Sequence, residues 1–338
     1  MEKMNMKDWK SRVLKNRHRL AIPIMTHPGI EICGYTVKDT VTDGRRHAEA
    51  ILALDKRFPA DACTVIMDLT VEAEAFGAKV IFPENEIPCI EEPVVHDIHE
   101  VEMLQVPSLD AGRISEYILA NSTVAAQLKD KPLFAGCIGP FSLAGRLMGM
   151  TELMMAIYTD RNMVTMLLGK CTEFITEYCK ALKNAGANGV IMAEPAAGLI
   201  SNEDCSTYSS AYIKQTVDAV QDSSFMVILH NCGDTGHCTV AMLESGAEGY
   251  HFGNQADMVS TLDTCPGDVI VAGNLDPVGV FRQACPQEVY NKTTDLLNAT
   301  AKYPNFILSS GCDVPPGVPE TNISAFYKAL SDFNQTVK

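Results

Sequence analysis

A single-domain (β/α)8 barrel, the TIM-barrel class, spanning residues 1–338, is the fold this sequence predicts. Three observations lead to it. Short apolar runs of strand character alternate with longer stretches of helical periodicity, which is how a parallel sheet covered by helices reads. Eight such strand candidates occur along the chain, the number that closes a barrel. No G-x-G-x-x-G or Walker-type segment follows any of them, so the open nucleotide-binding sheets lose support. Hydrophobic residues at 46% and charged residues at 20% suit a sizeable core, and no linker or internal repeat divides the chain.

Charge and cysteine usage narrow the function classes. A net charge of −15 argues against nucleic acid or an anionic membrane surface as partner. The first twenty residues, MEKMNMKDWKSRVLKNRHRL, are charged and lack an apolar segment, so no signal peptide is expected. No run of about 18 apolar residues appears, so no transmembrane helix is expected. Twelve cysteines in so large a chain then fit a reducing cytoplasm with free thiols and a metal site.

Taken in order, Met6 to Asn16 reads as a short amphipathic helix. Ala21 to Met25 is the first strand, with His27, Pro28 and Gly29 in the loop after it. Thr40 to Lys56 is helical, and Thr64 to Met67 is the second strand, ending at Asp68. Lys79 to Ile90 is rich in β-formers with Pro and Asn, a hairpin over the barrel mouth. A helix over Ala111 to Leu128 leads to strand three, Leu133 to Cys137. Gly139 to Met150 begins another helix, followed by a methionine stripe that reads as adaptable core. The long helix Asp160 to Ala185 stops before Gly186, and Gly189 to Ala193 is strand four. Ser201 to Asp204 offers N-cap chemistry for a helix to about Gln221. Phe225 to Leu229, Gly249 to Phe252, Val269 to Ala272 and Phe306 to Ser310 are strands five to eight. Helices fall at Val240 to Glu244, within Pro286 to Tyr303, and at Pro319 to Phe333.

Chemistry concentrates in VILHNCGDTG, Val227 to Gly236. A buried strand ends there at a Gly-Asp turn, and the period of two puts His230 and Cys232 on one side. An imidazole and a thiol at a strand's C-terminal end suit a soft divalent metal such as zinc. A third donor stands eighty residues on, where FILSS ends in Gly311, Cys312 and Asp313. In a parallel barrel both strand ends lie on one face. Three protein donors with one open position describe a catalytic zinc. The bland alternative is a hydrogen-bonded core histidine with two small buried cysteines. His237 and Cys238, a second pair, fall at a helix start and read as structural or solvent-facing.

LHNCGD and SSGCDVPPGVPETNI resemble the His-x-Cys and later Gly-Cys segments of the zinc-dependent methylcobamide:thiol methyltransferases, a branch of the uroporphyrinogen decarboxylase superfamily. FAGCIGPFSLAG (Phe134 to Gly145), MAEPAAGLIS (Met192 to Ser201) and GNLDPVGVF (Gly273 to Phe281) resemble further segments of that superfamily, in the same order, over Ala21 to Phe326. The decarboxylase carries an arginine-rich segment after its first strand, suited to substrate carboxylates. Here the corresponding PIMTHPGIEICG (Pro23 to Gly34) has no arginine, and Gly311-Cys312-Asp313 stands where the decarboxylase has Gly-His-Gly.

The resemblance implies a TIM barrel and a zinc held by His230, Cys232 and Cys312. It also implies cobalamin as methyl carrier, on a corrinoid protein partner or as co-substrate, and a thiol such as coenzyme M. A thiol on the open zinc position would lose its proton and attack the methyl group in line. Two readings stand for Glu194: a catalytic carboxylate at the zinc or substrate, or a cap on a helix or loop. His27, Asp68, Asn274 and Asp276 are the expected substrate-binding residues, with Asp276 also placed to cap the next helix. The zinc motif alone leaves open a methyl-ether or methylamine:corrinoid-protein methyltransferase, and a non-catalytic zinc protein. Porphyrinogen decarboxylation is disfavoured by the missing arginines.

Overall fold

The structure, a computed structural model, describes residues 4–233 and 236–336. Asp234, the second half of the expected Gly-Asp turn, lies outside the described residues. Seven strands form one parallel sheet in chain order: β1 Cys63–Thr64, β2 Leu133–Ile138, β3 Gly189–Ala193, β4 Met226–Asn231, β5 Gly249–Phe252, β6 Ile270–Leu275 and β7 Phe306–Ser310. All their C-terminal ends therefore open on one face, as the barrel reading requires.

The first expected strand, Ala21 to Met25, is a correction. It contributes one isolated bridge, Ala21 to Leu308, rather than a ladder. The cause is Pro23, which has no N–H to give. Hydroxyl groups take the neighbouring donors: Ile24 N–H reaches Ser310 Oγ at 3.1 Å and Met25 N–H reaches Thr64 Oγ1 at 3.4 Å. The segment still lies between β7 and β1. Leu308 N–H donates to Leu20 O, Ile22 N–H to Leu308 O, and Asp61 N–H to Ala21 O.

β1 is also shorter than expected. Beyond Thr64, the N–H of Ile66 goes to His47 Nε2 and that of Met67 to the Asp313 carboxylate. Side chains satisfy the backbone where the ladder stops.

Other boundaries moved for local reasons. His27, Pro28 and Gly29 open a helix, His27–Cys33, rather than a loop. Pro28 suits its first turn, and Gly29 lets it press on the helix Gly44–Arg57, where a Cβ would meet Ala50 O at 2.1 Å. The expected Thr40 to Lys56 helix splits into Val37–Val41 and Gly44–Arg57 because Asp43 caps the second piece. The methionine-rich stretch breaks at Gly149 (φ 98°) into Pro140–Met148 and Met150–Thr159. The expected hairpin is present as the antiparallel pair Val80–Ile81 and Cys89–Ile90.

Strand parity sorts the core into two layers. Ile22, Ile24, Phe134, Ile191, Met226, Ile228, Ile270, Ala272 and Ile307 pack together inside the barrel. Their strand neighbours Val190, Val227, Leu229, Val271 and Leu308 pack outward among the helices. The helix Met6–Lys15 joins the inner cluster through Met6, Trp9 and Val13 and covers the N-terminal end, with Trp9 edge-on to Phe134 at 5.8 Å. Continuing the inward parity past Ile228 gives His230, and past Ile307 gives Ser309. The barrel interior is apolar below and polar at its C-terminal mouth.

Candidate metal centre

His230 is the fifth residue of β4, fully paired on both sides, with Ala193 of β3 and His251 of β5 as partners. Cys232 follows as β4 ends. Cys312 lies two residues beyond β7, across the mouth. One donor atom from each of His230, Cys232 and Cys312 lies within 4.8 Å of the others. Two glycines allow this approach. A Cβ on Gly253 would meet Cys232 O at 2.2 Å, and one on Gly311 would meet Asn254 N at 2.6 Å. The short loop after β5 is thus packed against both cysteine-bearing loops.

The electrostatics of the trio favour metal binding. His230 is buried, and its Nε2 has no hydrogen-bond partner among the described residues. A buried polar atom left so is costly unless something else occupies it. A hydrogen bond from Cys312 is the largest cause holding the Cys232 thiol well below its ordinary value, against the opposing effect of burial. Cys312 moves the opposite way, held up as the donor of that bond and by burial. One thiolate, one thiol and one free imidazole nitrogen form a donor set for a zinc-type ion.

The other expected site residues are placed as follows. Glu194 follows β3 but is not in the cluster. Its carboxylate accepts from the N–H groups of Phe141 and Ser142 at 3.0 and 2.5 Å, at the start of the helix Pro140–Met148. Burial pushes it up to about 7 against those bonds. This is the capping geometry of a helix N-terminus.

Asp68 accepts from Arg113 Nη1 at 2.6 Å, from Thr70 N–H and Oγ1, and from Tyr117 OH. Asn274 donates to Gly253 O and Ala256 O at 2.8 and 2.7 Å, bracing the β5 loop. Asp276 accepts from Val278 and Gly279 N–H, capping the helical turn Pro277–Arg282. His27 is buried, with Nε2 3.6 Å from Asp313 Oδ2 and no hydrogen-bond partner for either ring nitrogen among the described residues. Cys238 is buried and donates to Ala197 O and Ile200 O, while His237 Nε2 lies 3.1 Å from Ile200 O. That pair ties down the loop after β3.

Two residues of the site were not anticipated. His251 lies beside His230, and Arg113 neutralises Asp68. His251 carried one signal, a histidine inside an apolar strand. Arg113 carried none, since its partner is 45 residues away.

The family profile described as Uroporphyrinogen decarboxylase (URO-D) matches residues 18–333. The chain belongs to the URO-D family. Among curated relatives, this URO-D family member is 28% identical over 277 residues to the methylcobamide:CoM methyltransferase MtbA of Methanosarcina acetivorans, covering 81% of this chain and 80% of that one. It is 24% identical over 288 residues to the uroporphyrinogen decarboxylase of Legionella pneumophila, covering 82% and 80%. Among solved structures it superposes on a methyltransferase from Methanosarcina mazei with a TM-score of 0.88, at 19% identity, over 98% of this chain and 99% of that one. At that identity the likeness is one of fold, and it agrees with the barrel architecture.

Proposed function

We propose that this URO-D family member is a zinc-dependent, corrinoid-linked methyltransferase that moves a methyl group from a cobamide, carried on a corrinoid protein or free, to a small thiol. The observation that carries the reading is buried His230, whose Nε2 has no hydrogen-bond partner among the described residues, gathered with the Cys232 and Cys312 sulfurs at the barrel mouth. The relatives named as methylcobamide:CoM methyltransferases support the same chemistry. The arginine-free segment from Pro23 to Gly34 speaks against a porphyrinogen polycarboxylate.

His230, Cys232 and Cys312 are the residues that would hold the zinc. When bound, zinc lowers the pKa of a thiol at its open position and keeps it as a nucleophilic thiolate. The overall transfer balances as methylcobamide plus thiol giving thioether, cob(I)amide and a proton. The carbon–cobalt electron pair stays on the metal of the corrinoid.

This chain's residues supply position rather than acid–base work. His27, buried at the mouth with Nε2 facing Asp313 and neither ring nitrogen hydrogen-bonded among the described residues, is the expected residue to meet the substrate directly. Asn274 contributes by holding the loop that packs on Cys232. Asp68 and Asp276 hold the neighbouring mouth elements in place, and Glu194 anchors the helix that starts over the site.

Metal analysis of the purified protein, followed by methylcobalamin with a panel of thiols, tests the proposal. One zinc per chain, the cob(I)alamin spectrum and a methyl thioether by mass spectrometry are the expected results. Stoichiometric zinc with no transfer to any thiol, or transfer indifferent to removal of the metal, overturns it.

A further inference from the structure

The strand beside β4 carries a histidine outside the three-donor cluster. His251 pairs in register with His230, so both side chains point into the barrel. Its ring is buried and stands edge-on to that of His230, with centroids 4.6 Å apart and an interplanar angle of 77°. His251 Nδ1 lies 2.8 Å from His230 Nδ1, and its Nε2 lies 2.8 Å from Ser309 Oγ on β7. Ser309 Oγ in turn lies 2.7 Å from Ile22 O. Four segments of the barrel are joined in one line of polar contacts.

The end of that line fixes its direction. A backbone carbonyl only accepts, so the Ser309 hydroxyl donates to Ile22 O. The Ser309 oxygen then accepts from His251 Nε2–H. A neutral His251 with its proton on Nε2 presents a lone pair at Nδ1. Two ring nitrogens 2.8 Å apart share one proton, and that proton belongs to His230 Nδ1. The carbonyl of His251, 3.3 Å from the same Nδ1, is a second acceptor and requires the same assignment. His230 thus has its lone pair on Nε2, the nitrogen without a hydrogen-bond partner among the described residues.

We propose that His251, anchored by Ser309 and the Ile22 carbonyl, is a positioning residue that fixes the tautomer and ring plane of His230 for metal binding. The inference rests on the metal reading under Proposed function. A metal-bound histidine is oriented by what its other nitrogen donates to. The usual acceptor is a carboxylate or carbonyl. Here a second, neutral imidazole serves, which orients His230 without adding negative charge to a centre that already has thiolate ligands.

Two measurements test it. In zinc-free protein labelled with 15N-histidine, long-range proton–nitrogen spectra should show His230 protonated on Nδ1 and His251 on Nε2. Zinc affinity should then be measured by competition with a chromogenic chelator. His251→Phe should weaken binding about 10- to 100-fold. His251→Gln should recover most of the loss, because its amide oxygen accepts from His230 and its NH2 donates to Ser309. Ser309→Ala should fall between, and it decides the matter if His251→Phe does not fold.

A His230 protonated on Nε2, or a folded His251→Phe protein with wild-type zinc affinity, overturns the proposal while leaving the metal centre intact. Wild-type protein that takes up no zinc overturns both readings. Loss of affinity in both His251 variants alike would reduce His251 to packing and also overturn the proposal.

Discussion

Arg113→Met strands a buried carboxylate, and its cost follows from the contacts. The Arg113 guanidinium meets Asp68 at 2.6 Å, Glu74 at 2.6 Å, Thr70 Oγ1 at 2.8 Å and Val41 O at 3.1 Å, and lies 4.7 Å from the Phe82 ring centre. The Asp68 side chain is fully shielded and that of Arg113 is 8% exposed. Removing one member of a buried pair costs about 3–5 kcal/mol.

At about 2 °C per kcal/mol for a large domain, Tm should fall by roughly 8 °C. Asp68→Asn should cost less, because Arg113 keeps Glu74. Methyl transfer per folded molecule should change little in Asp68→Asn, since the native carboxylate is already engaged with Thr70, Arg113 and Tyr117. Denaturant unfolding by circular dichroism at neutral pH, with turnover measured in parallel, is the assay. An Arg113→Met protein of wild-type stability refutes the reasoning. So does an Asp68→Asn protein that is stable but inactive, which would place Asp68 on the substrate.

Three further outcomes are expected. In zinc-free protein the Cys232 thiolate should persist well below the ordinary thiol range because Cys312 donates to it; Cys312→Ala should raise its midpoint and abolish stoichiometric zinc, while alkylation profiles unchanged from wild type would sink the shared-proton picture. Burial lifts Glu194 from 4.5 to about 7, so the unfolded chain releases this proton first and wild-type stability falls by about 3 kcal/mol as pH rises across that window. Glu194→Gln lacks the proton, so its stability relative to wild type should climb from pH 5 to pH 7; a flat difference in urea unfolding would refute the assignment. Gly253→Ala places a methyl 2.2 Å from Cys232 O and should weaken zinc binding in chelator competition without removing a ligand; unchanged affinity would show that the loop yields freely.

The barrel and the donor trio were legible in the sequence because both depend on short-range rules. Strand parity put His230 with Cys232, and equivalent strand ends put Cys312 on the same face. Residues whose role depends on register between strands were not legible. His251 acts through its pairing with His230, and a single strand does not announce its partner's phase. Asp68, Asn274 and Asp276 were recognised as polar groups at strand ends, yet their partners are set by tertiary contacts and local caps. Pro23 was visible, but not that hydroxyls on two neighbouring strands would stand in for the ladder it interrupts.

The thinly paired seam at Ala21 bears on kinetics as well as shape. β6 and β7 exchange a ladder of five registered pairs, whereas β7 and the opening segment share one bridge. Local opening follows the least-bonded boundary. That boundary runs along β7, the strand leading to Cys312 and carrying Ser309, while His230 and Cys232 stay on the well-paired β4. Opening there frees the Ala21 to Met25 segment while β7 stays in register with β6, so the strand leading to Cys312 remains on the same sheet as His230. What such opening loosens is the Ile22 carbonyl that receives the Ser309 hydroxyl. Amide exchange at Ile22 and Leu308 is the clock by which to read it.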